Sequence, residues 1–230
     1  MITSNIKLFK FKINKRYKKI KNELSLILHE NNHVIRSLGK NYKNNFTKKN
    51  LSKYKNSPGY RIIGMGGSSL GAQAIHDFLI HKIRKKFSFL DNLDTTIKKT
   101  QNSKNLNLII SKSGNTIETI VNANIFIKKN QKNIFITENK NNYLNVLAKK
   151  LKSEIIHHNN YIGGRYSVLS EVGMLPAELM GLNSSKFRQL NNLVNNKKFV
   201  SGLVSNVEAI IYFIKNKKFN SIILNYDEKS

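Results

Sequence analysis

Tyr60-Arg61-Ile62-Ile63-Gly64-Met65-Gly66-Gly67-Ser68-Ser69-Leu70-Gly71 is the stretch that decides the fold. Tyr60–Ile63 is a short apolar run suited to a buried strand. Gly64–Gly71 reads as a glycine-rich turn, and Ala72–Arg84 as the helix it opens. A strand that feeds a helix through such a turn is the repeating unit of a parallel sheet. Ser57-Pro58-Gly59, just upstream, is the strongest punctuation in the chain. It divides residues 1–57, a helical lysine-rich extension, from an α/β domain over 58–230.

The same unit recurs downstream. Phe87–Leu90 is a second strand candidate and Leu106–Ile110 a third, followed by a Ser/Gly turn and a helix from Thr116 to about Lys129. Asn133–Thr137 is a fourth, with a helix over Tyr143–Leu151, and Glu154–His157 a fifth. From Ser167 the pattern predicts helix through Ile214, broken at Pro176 and around Gly202, before a strand restarts at Ser221–Leu224. Upstream, Tyr17, Ile20, Leu24, Ile27, Leu28, Ile35 and Leu38 recur at helical spacing, one apolar stripe on a basic helix that Gly39 would stop. The expected fold class is α/β: a three-layer, doubly wound, mainly parallel sheet with a helical N-terminal extension. A strand with nothing after it is an odd ending for such a fold, so the chain is expected to be part of a longer one.

Composition narrows the function classes. No apolar run reaches the ~18 residues of a membrane helix, so no membrane partner is expected. The absence of Cys excludes disulfides, thiolate metal sites and a catalytic thiol. Forty Lys and Arg against 13 acids give a formal charge of +27, which suggests a nucleic-acid binder at first sight. Yet Arg occurs only at positions 16, 36, 61, 84, 165 and 188, whereas Arg is the residue that forks onto guanine and phosphate. The lysines are spread along the chain, and Asn is inflated alongside them in Lys7–Asn22, Asn41–Asn56 and Asn139–Asn145. Compositional drift is the simpler account, and no specific nucleic-acid partner is expected. His29 with His33, His76 with His81, and His157 with His158 lack a third ligand at metal spacing, so surface or helix-face roles are assigned to all six and no metal is expected.

Three constellations carry chemistry. Gly64–Gly71 lets backbone approach a ligand at a helix N-terminus, with Ser68 and Ser69 as added donors. The plainer alternative is that a strand-to-helix turn needs glycine anyway. A dinucleotide fold would want the G-x-G-x-x-G spacing; Asp91 stands at the right distance for its acid, but the glycines do not fit. Ser111-Lys112-Ser113-Gly114-Asn115-Thr116-Ile117-Glu118-Thr119 collects two serines, a lysine and a threonine at another strand end, which is what a phosphate dianion wants. Glu118 there would complement the helix dipole. Both turns fall at carboxyl ends of strands, where parallel sheets bind ligands, so they could share one site. Gly163-Gly164-Arg165-Tyr166-Ser167-Val168-Leu169-Ser170 places an Arg in an Arg-poor chain after two glycines, a candidate for stabilising an oxyanion or else a surface Arg on a loop.

Ile63–Gly71, Ser111–Glu118 and Gly163–Leu175 resemble, in order, the three signature blocks of the glucose-6-phosphate isomerase family. Phe89–Asp94 and Ile223–Asp227 are similar to further family segments, so the likeness runs from about Tyr60 to Asp227. The Ser-Lys-Ser-Gly turn alone indicates only the sugar-isomerase (SIS) domain class, whereas Gly-Gly-Arg-Tyr-Ser-Val-Leu-Ser is more restrictive. The resemblance implies a cytoplasmic enzyme of glycolysis and gluconeogenesis. It would interconvert glucose 6-phosphate and fructose 6-phosphate through an enediolate, without a cofactor, and form a homodimer at full length. It implies that Gly67, Ser68, Ser111, Lys112, Ser113 and Thr116 meet the sugar phosphate, that Gly114 and Asn115 shape the turn, and that Arg165 stabilises the enediolate. A stand-alone sugar-phosphate-binding module is the alternative. Asn115 replaces a threonine common in the family, and Glu171 a small residue. The family's glutamate base, histidine and late lysine belong to its second half, and Glu118, Glu171 and Glu178 match none of them. Residues 1–230 alone are therefore expected to be inactive.

Overall fold

The structure is a computed structural model that describes residues 18–93, 104–128, 130–189 and 195–218. The expected strand at Ser221–Leu224, and the family-like segment beyond it, lie outside the described residues. The chain divides into two compact units, one of Met1–Lys40 with Arg188–Glu228, the other of Asn41–Phe187 with Lys229–Ser230.

In the first unit, α1 (Lys18–His29) packs with α8 (Lys197–Lys215), and α2 (His33–Leu38) is short. The apolar stripe expected on a single helix is thus divided between two. The break comes at Asn32, whose side-chain oxygen accepts the Ile35 N–H at 2.8 Å and starts a new helix. The break expected around Gly202 does not occur: α8 runs straight through it. Gly202 and Ala209, two turns apart, are the buried residues of α8, so glycine serves there as a small contact residue rather than as a stop.

In the second unit, α3 (Lys48–Ser52) precedes a five-stranded sheet of β1 (Gly59–Ile63), β2 (Lys86–Leu90), β3 (Leu106–Ile110), β4 (Asn133–Glu138) and β5 (Glu154–His158). The order is β2-β1-β3-β4-β5 and every pairing is parallel, with Ile63 level with Leu90 on one side and Ile109 on the other. Strands β1, β3 and β4 are buried along their whole length, their mostly apolar residues enclosing Arg61, Asn107 and Asn133 as well. The connecting helices are α4 (Leu70–Phe78), α5 (Ile117–Phe126) and α6 (Tyr143–Lys150). Ala123 and Phe126 of α5 and Leu144 and Ala148 of α6 close one core with Ile63, Ile109 and Phe135. The crossover from β1 runs toward β2, opposite to those from β3 and β4. Right-handedness therefore puts α4, with its neighbour α7 (Glu171–Leu179), on the other face. This is the doubly wound α/β class that the sequence predicts.

Helix α7 corrects two expectations. Helix was expected from Ser167, but Gly164–Tyr166 forms one 3₁₀ turn and regular helix begins only at Glu171, with Ser170 as its cap. A break was expected at Pro176, yet α7 contains it. All nine residues of α7 are buried, so tertiary packing outweighs the one helical hydrogen bond that proline forfeits.

Candidate functional site

The opposed crossovers from β1 and β3 leave a crevice at the carboxyl ends of these adjacent strands, the switch point at which doubly wound sheets take ligands. Both glycine- and serine-rich turns stand there. The helices that follow them share an omission. Helices α2, α3, α6, α7 and α8 begin on a side chain that accepts a first-turn N–H: Asn32, Thr47, Asn142, Ser170 and Asn196. Helices α4 and α5 begin on Ser69 and Thr116, and neither side chain caps. At these two helix starts the N-cap side chain leaves the first-turn N–H groups unsatisfied, unlike at the other five.

The second turn shows why Thr116 does not cap. Its hydroxyl is 2.9 Å from the Ser111 hydroxyl, and Ser111 Oγ also accepts the Gly114 N–H at 3.2 Å. Gly114 adopts φ +69°, and an added Cβ would lie 2.2 Å from the Asn142 side chain, so a residue other than glycine is both strained and blocked. Ser113 Oγ accepts the Asn115 N–H at 3.3 Å. Asn115 turns its side-chain oxygen to the Tyr143 N–H at 3.0 Å, tying the turn to the start of α6. Lys112 is one-third exposed and pairs with Glu138 Oε1 at 3.3 Å, while Lys140 holds the other oxygen at 3.0 Å. Burial works to raise the Glu138 carboxyl, but the Lys140 and Lys112 ammoniums outweigh it and hold the group below the usual carboxylate range. One face of the Lys112 charge is thereby fixed, and Glu138 was not singled out in the sequence.

The first loop joins the other two. An added Cβ on Gly64 would lie 2.8 Å from the carbonyl of Ile110, the residue before Ser111. On Gly67 it would lie 2.3 Å from the carbonyl of Gly164, the residue before Arg165. Ser167 Oγ donates to the carbonyls of Gly164 at 2.7 Å and Gly67 at 3.2 Å. Gly71 lies against Val168. Ser68 is half-buried within the 3₁₀ turn Gly66–Ser68, and Arg165 is exposed. The structure thus brings Gly67, Ser68 and Ser111–Thr116 together at the strand carboxyl ends, as the position of the first two turns allowed, with the Gly163–Ser170 loop beside them.

The third loop is held from outside. His158, at the end of β5, is buried, and its Nε2 donates to the Ile162 carbonyl at 3.0 Å while Nδ1 lies 3.4 Å from Glu171 Oε2. This corrects the surface or helix-face role expected of it: strand β5 runs through His158 and turns it inward. Glu171 is wholly buried, and its Oε1 accepts the Asn45 N–H at 3.0 Å and the Tyr42 hydroxyl at 3.2 Å. Burial works to raise its pKa, but bonds from His158, from its own N–H and from Asn45 outweigh that and hold it low. Glu178 accepts the Ser184 N–H at 2.9 Å and pairs with Lys48 at 3.4 Å. Among the described residues no three His, Asp or Glu are grouped to hold a metal, and no helix is long and apolar enough to cross a membrane.

The family model of phosphoglucose isomerase matches residues 53–202. A glucose-6-phosphate isomerase of Methanocaldococcus jannaschii is 32% identical over 200 residues, covering 78% of this chain and 49% of that protein. One from Mesomycoplasma hyopneumoniae is 31% identical, covering 72% of this chain and 45% of that protein. The chain spans about half the length of these curated relatives. Among solved structures, a hypothetical protein from Thermus thermophilus superimposes with a TM-score of 0.61 at 19% identity, over 86% of this chain and 52% of that one, a likeness of fold.

Proposed function

The chain belongs to the phosphoglucose isomerase family, and on that premise we propose that it supplies the phosphate-binding half of an enzyme interconverting glucose 6-phosphate and fructose 6-phosphate. The observation that carries the proposal is the pair of uncapped helices, α4 and α5, at the switch point. A phosphate dianion is the guest that two bare helix N-termini, the Ser111, Ser113 and Thr116 hydroxyls and the Lys112 ammonium satisfy together. Gly67 and Ser68 meet the same phosphate from the first loop, while Gly114 and Asn115 give the turn its shape.

Arg165, one residue past the Gly67–Gly164 contact, is assigned to the sugar end, where its fixed charge would stabilise the cis-enediolate. Proton transfer between the two carbons needs a base within hydrogen-bond reach. Glu171 and Glu178 are engaged in buried hydrogen bonds and are unsuited to it; we assign the base to the family's second half, as the resemblance implies. By the same family reading the whole enzyme is a cytoplasmic homodimer, and the lysine excess gives only sequence-independent affinity for DNA that salt abolishes.

The test is ligand binding. Replacing Ser111 and Lys112 together by Ala removes two donors, one of them charged, and should weaken fructose 6-phosphate binding by about 2–3 kcal/mol. Titration calorimetry with the purified chain measures it. No binding by a well-folded parent chain would refute the proposal. Unchanged binding by the double variant would move the phosphate elsewhere.

A further inference from the structure

The His158–Glu171 pair is absorbed by no role above, yet it touches the Arg165 loop at both ends. Ile162, whose carbonyl accepts from His158 Nε2, immediately precedes Gly163. Glu171, which meets Nδ1, immediately follows Ser170. One imidazole ring therefore spans the two ends of the segment 163–170. A carbonyl only accepts, so Nε2 carries a proton. The ring's other nitrogen, Nδ1, faces Glu171 Oε2 at 3.4 Å. The carboxylate is fixed in turn by the Asn45 N–H, the Tyr42 hydroxyl and its place at the N-terminus of α7. The pair is almost fully buried, with side-chain exposures of 1% and 0%, so water does not compete for these bonds.

Within the loop, the Ser167 hydroxyl and the Gly67–Gly164 contact hold the backbone near its middle. The Arg165 side chain is exposed, so its aim depends on the backbone beneath it. We propose that His158 and Glu171 are positioning residues for Arg165: the ring clasps both ends of its loop and sets where the guanidinium stands relative to the phosphate turn. This rests on the reading of Arg165 as the group that meets the sugar end.

Three measurements on the full 230-residue chain test it. In proton–nitrogen NMR of the unmodified chain, His158 should show a slowly exchanging Nε2 proton; an Nε2 without a proton would overturn the clasp. In Glu171→Gln, amide exchange at Tyr166 and Ser167 should rise about tenfold while that at Gly114 stays the same; unchanged loop exchange would overturn it too. In a binding cycle, Glu171→Gln and Arg165→Ala should each weaken fructose 6-phosphate by roughly tenfold and inorganic phosphate not at all, and the double variant should be no worse than the weaker single. Multiplied effects, or equal loss of both ligands, would show a general structural role instead. If the parent binds no fructose 6-phosphate, the functional reading of the site fails, and the first two measurements still decide the clasp.

Discussion

The Ser111–Thr116 turn and the Gly163–Ser170 loop follow β3 and β5, with β4 between those strands, and are fixed by different means. The turn is held mostly by itself: Ser111 binds Thr116 and Gly114, Ser113 binds Asn115, and the left-handed backbone of Gly114 closes it. The loop makes one 3₁₀ turn and a few internal Ser167 and Ser170 bonds, and its ends and middle are pinned besides by a buried ring, a buried carboxylate and a glycine contact from a segment about a hundred residues earlier. A locally braced turn presents a site whose shape its own sequence dictates. A loop braced at a distance takes its shape from groups that must all be folded first, so damage far away should disturb it.

The largest effect should follow from Glu171→Ala. Removing one partner of a buried pair leaves the other uncompensated, and a loss of about 3–5 kcal/mol is expected in urea denaturation. A loss under about 1 kcal/mol would mean that the loop is not pinned from outside. Next comes Gly114→Ala, the corresponding injury to the turn. Positive φ and the collision with Asn142 together should cost about 2–3 kcal/mol, and phosphate affinity should fall in the same variant while amide exchange in the Arg165 loop stays unchanged.

Acid should separate the two regions by smaller steps. Glu171 in the folded chain titrates below its ordinary value of 4.5, so its contribution is fully present above that value and is lost as pH falls through the folded one. Stability measured by urea between about pH 6 and 3 should decline on that account, and Glu171→Gln should flatten the decline. Glu138 shifts in the same direction, so the variant keeps the residual slope due to the turn. The smallest effect is expected for Asn115→Thr. It removes the bond to the Tyr143 N–H, which joins the turn to α6, and should cost about 1 kcal/mol by thermal denaturation with little change at the Arg165 loop.

The same division explains what could be read from the sequence. Short, mainly apolar runs located all five strands to within a residue at either end, although only β1, β3 and β4 are buried throughout and β2 and β5 are partly exposed. Alternation of strand and helix then gave the parallel class, and the glycine and serine turns were visible because their chemistry is contiguous. Pro176 and Gly202 misled because local propensity yields to packing in fully or partly buried helices. His158 was misjudged, and its pairing with Glu171 went unforeseen, for a related reason. Nothing in a His-His dipeptide says which ring turns inward, and thirteen residues separate it from its partner. Glu138, on which Lys112 rests, and Asn142, which makes Gly114 obligatory, were invisible because both act across the gap between β3 and the start of α6.

The all-parallel sheet also has a consequence in time. No strand meets its neighbour through a tight hairpin; each pairing closes a long loop of chain. For β4 with β5, Ile134 must find Glu154, whereas for β1 with β3, Tyr60 must find Leu106 across the whole of β2 and its connections. That most distant pairing is the one that frames the ligand crevice. Loop-closure entropy therefore makes the crevice the last piece of the sheet to be completed during folding. Pulse-labelled hydrogen exchange during refolding should find the amides joining β1 to β3 protected after those joining β4 to β5. A nascent chain would have its helices and outer strands in place before it had anywhere to put a phosphate.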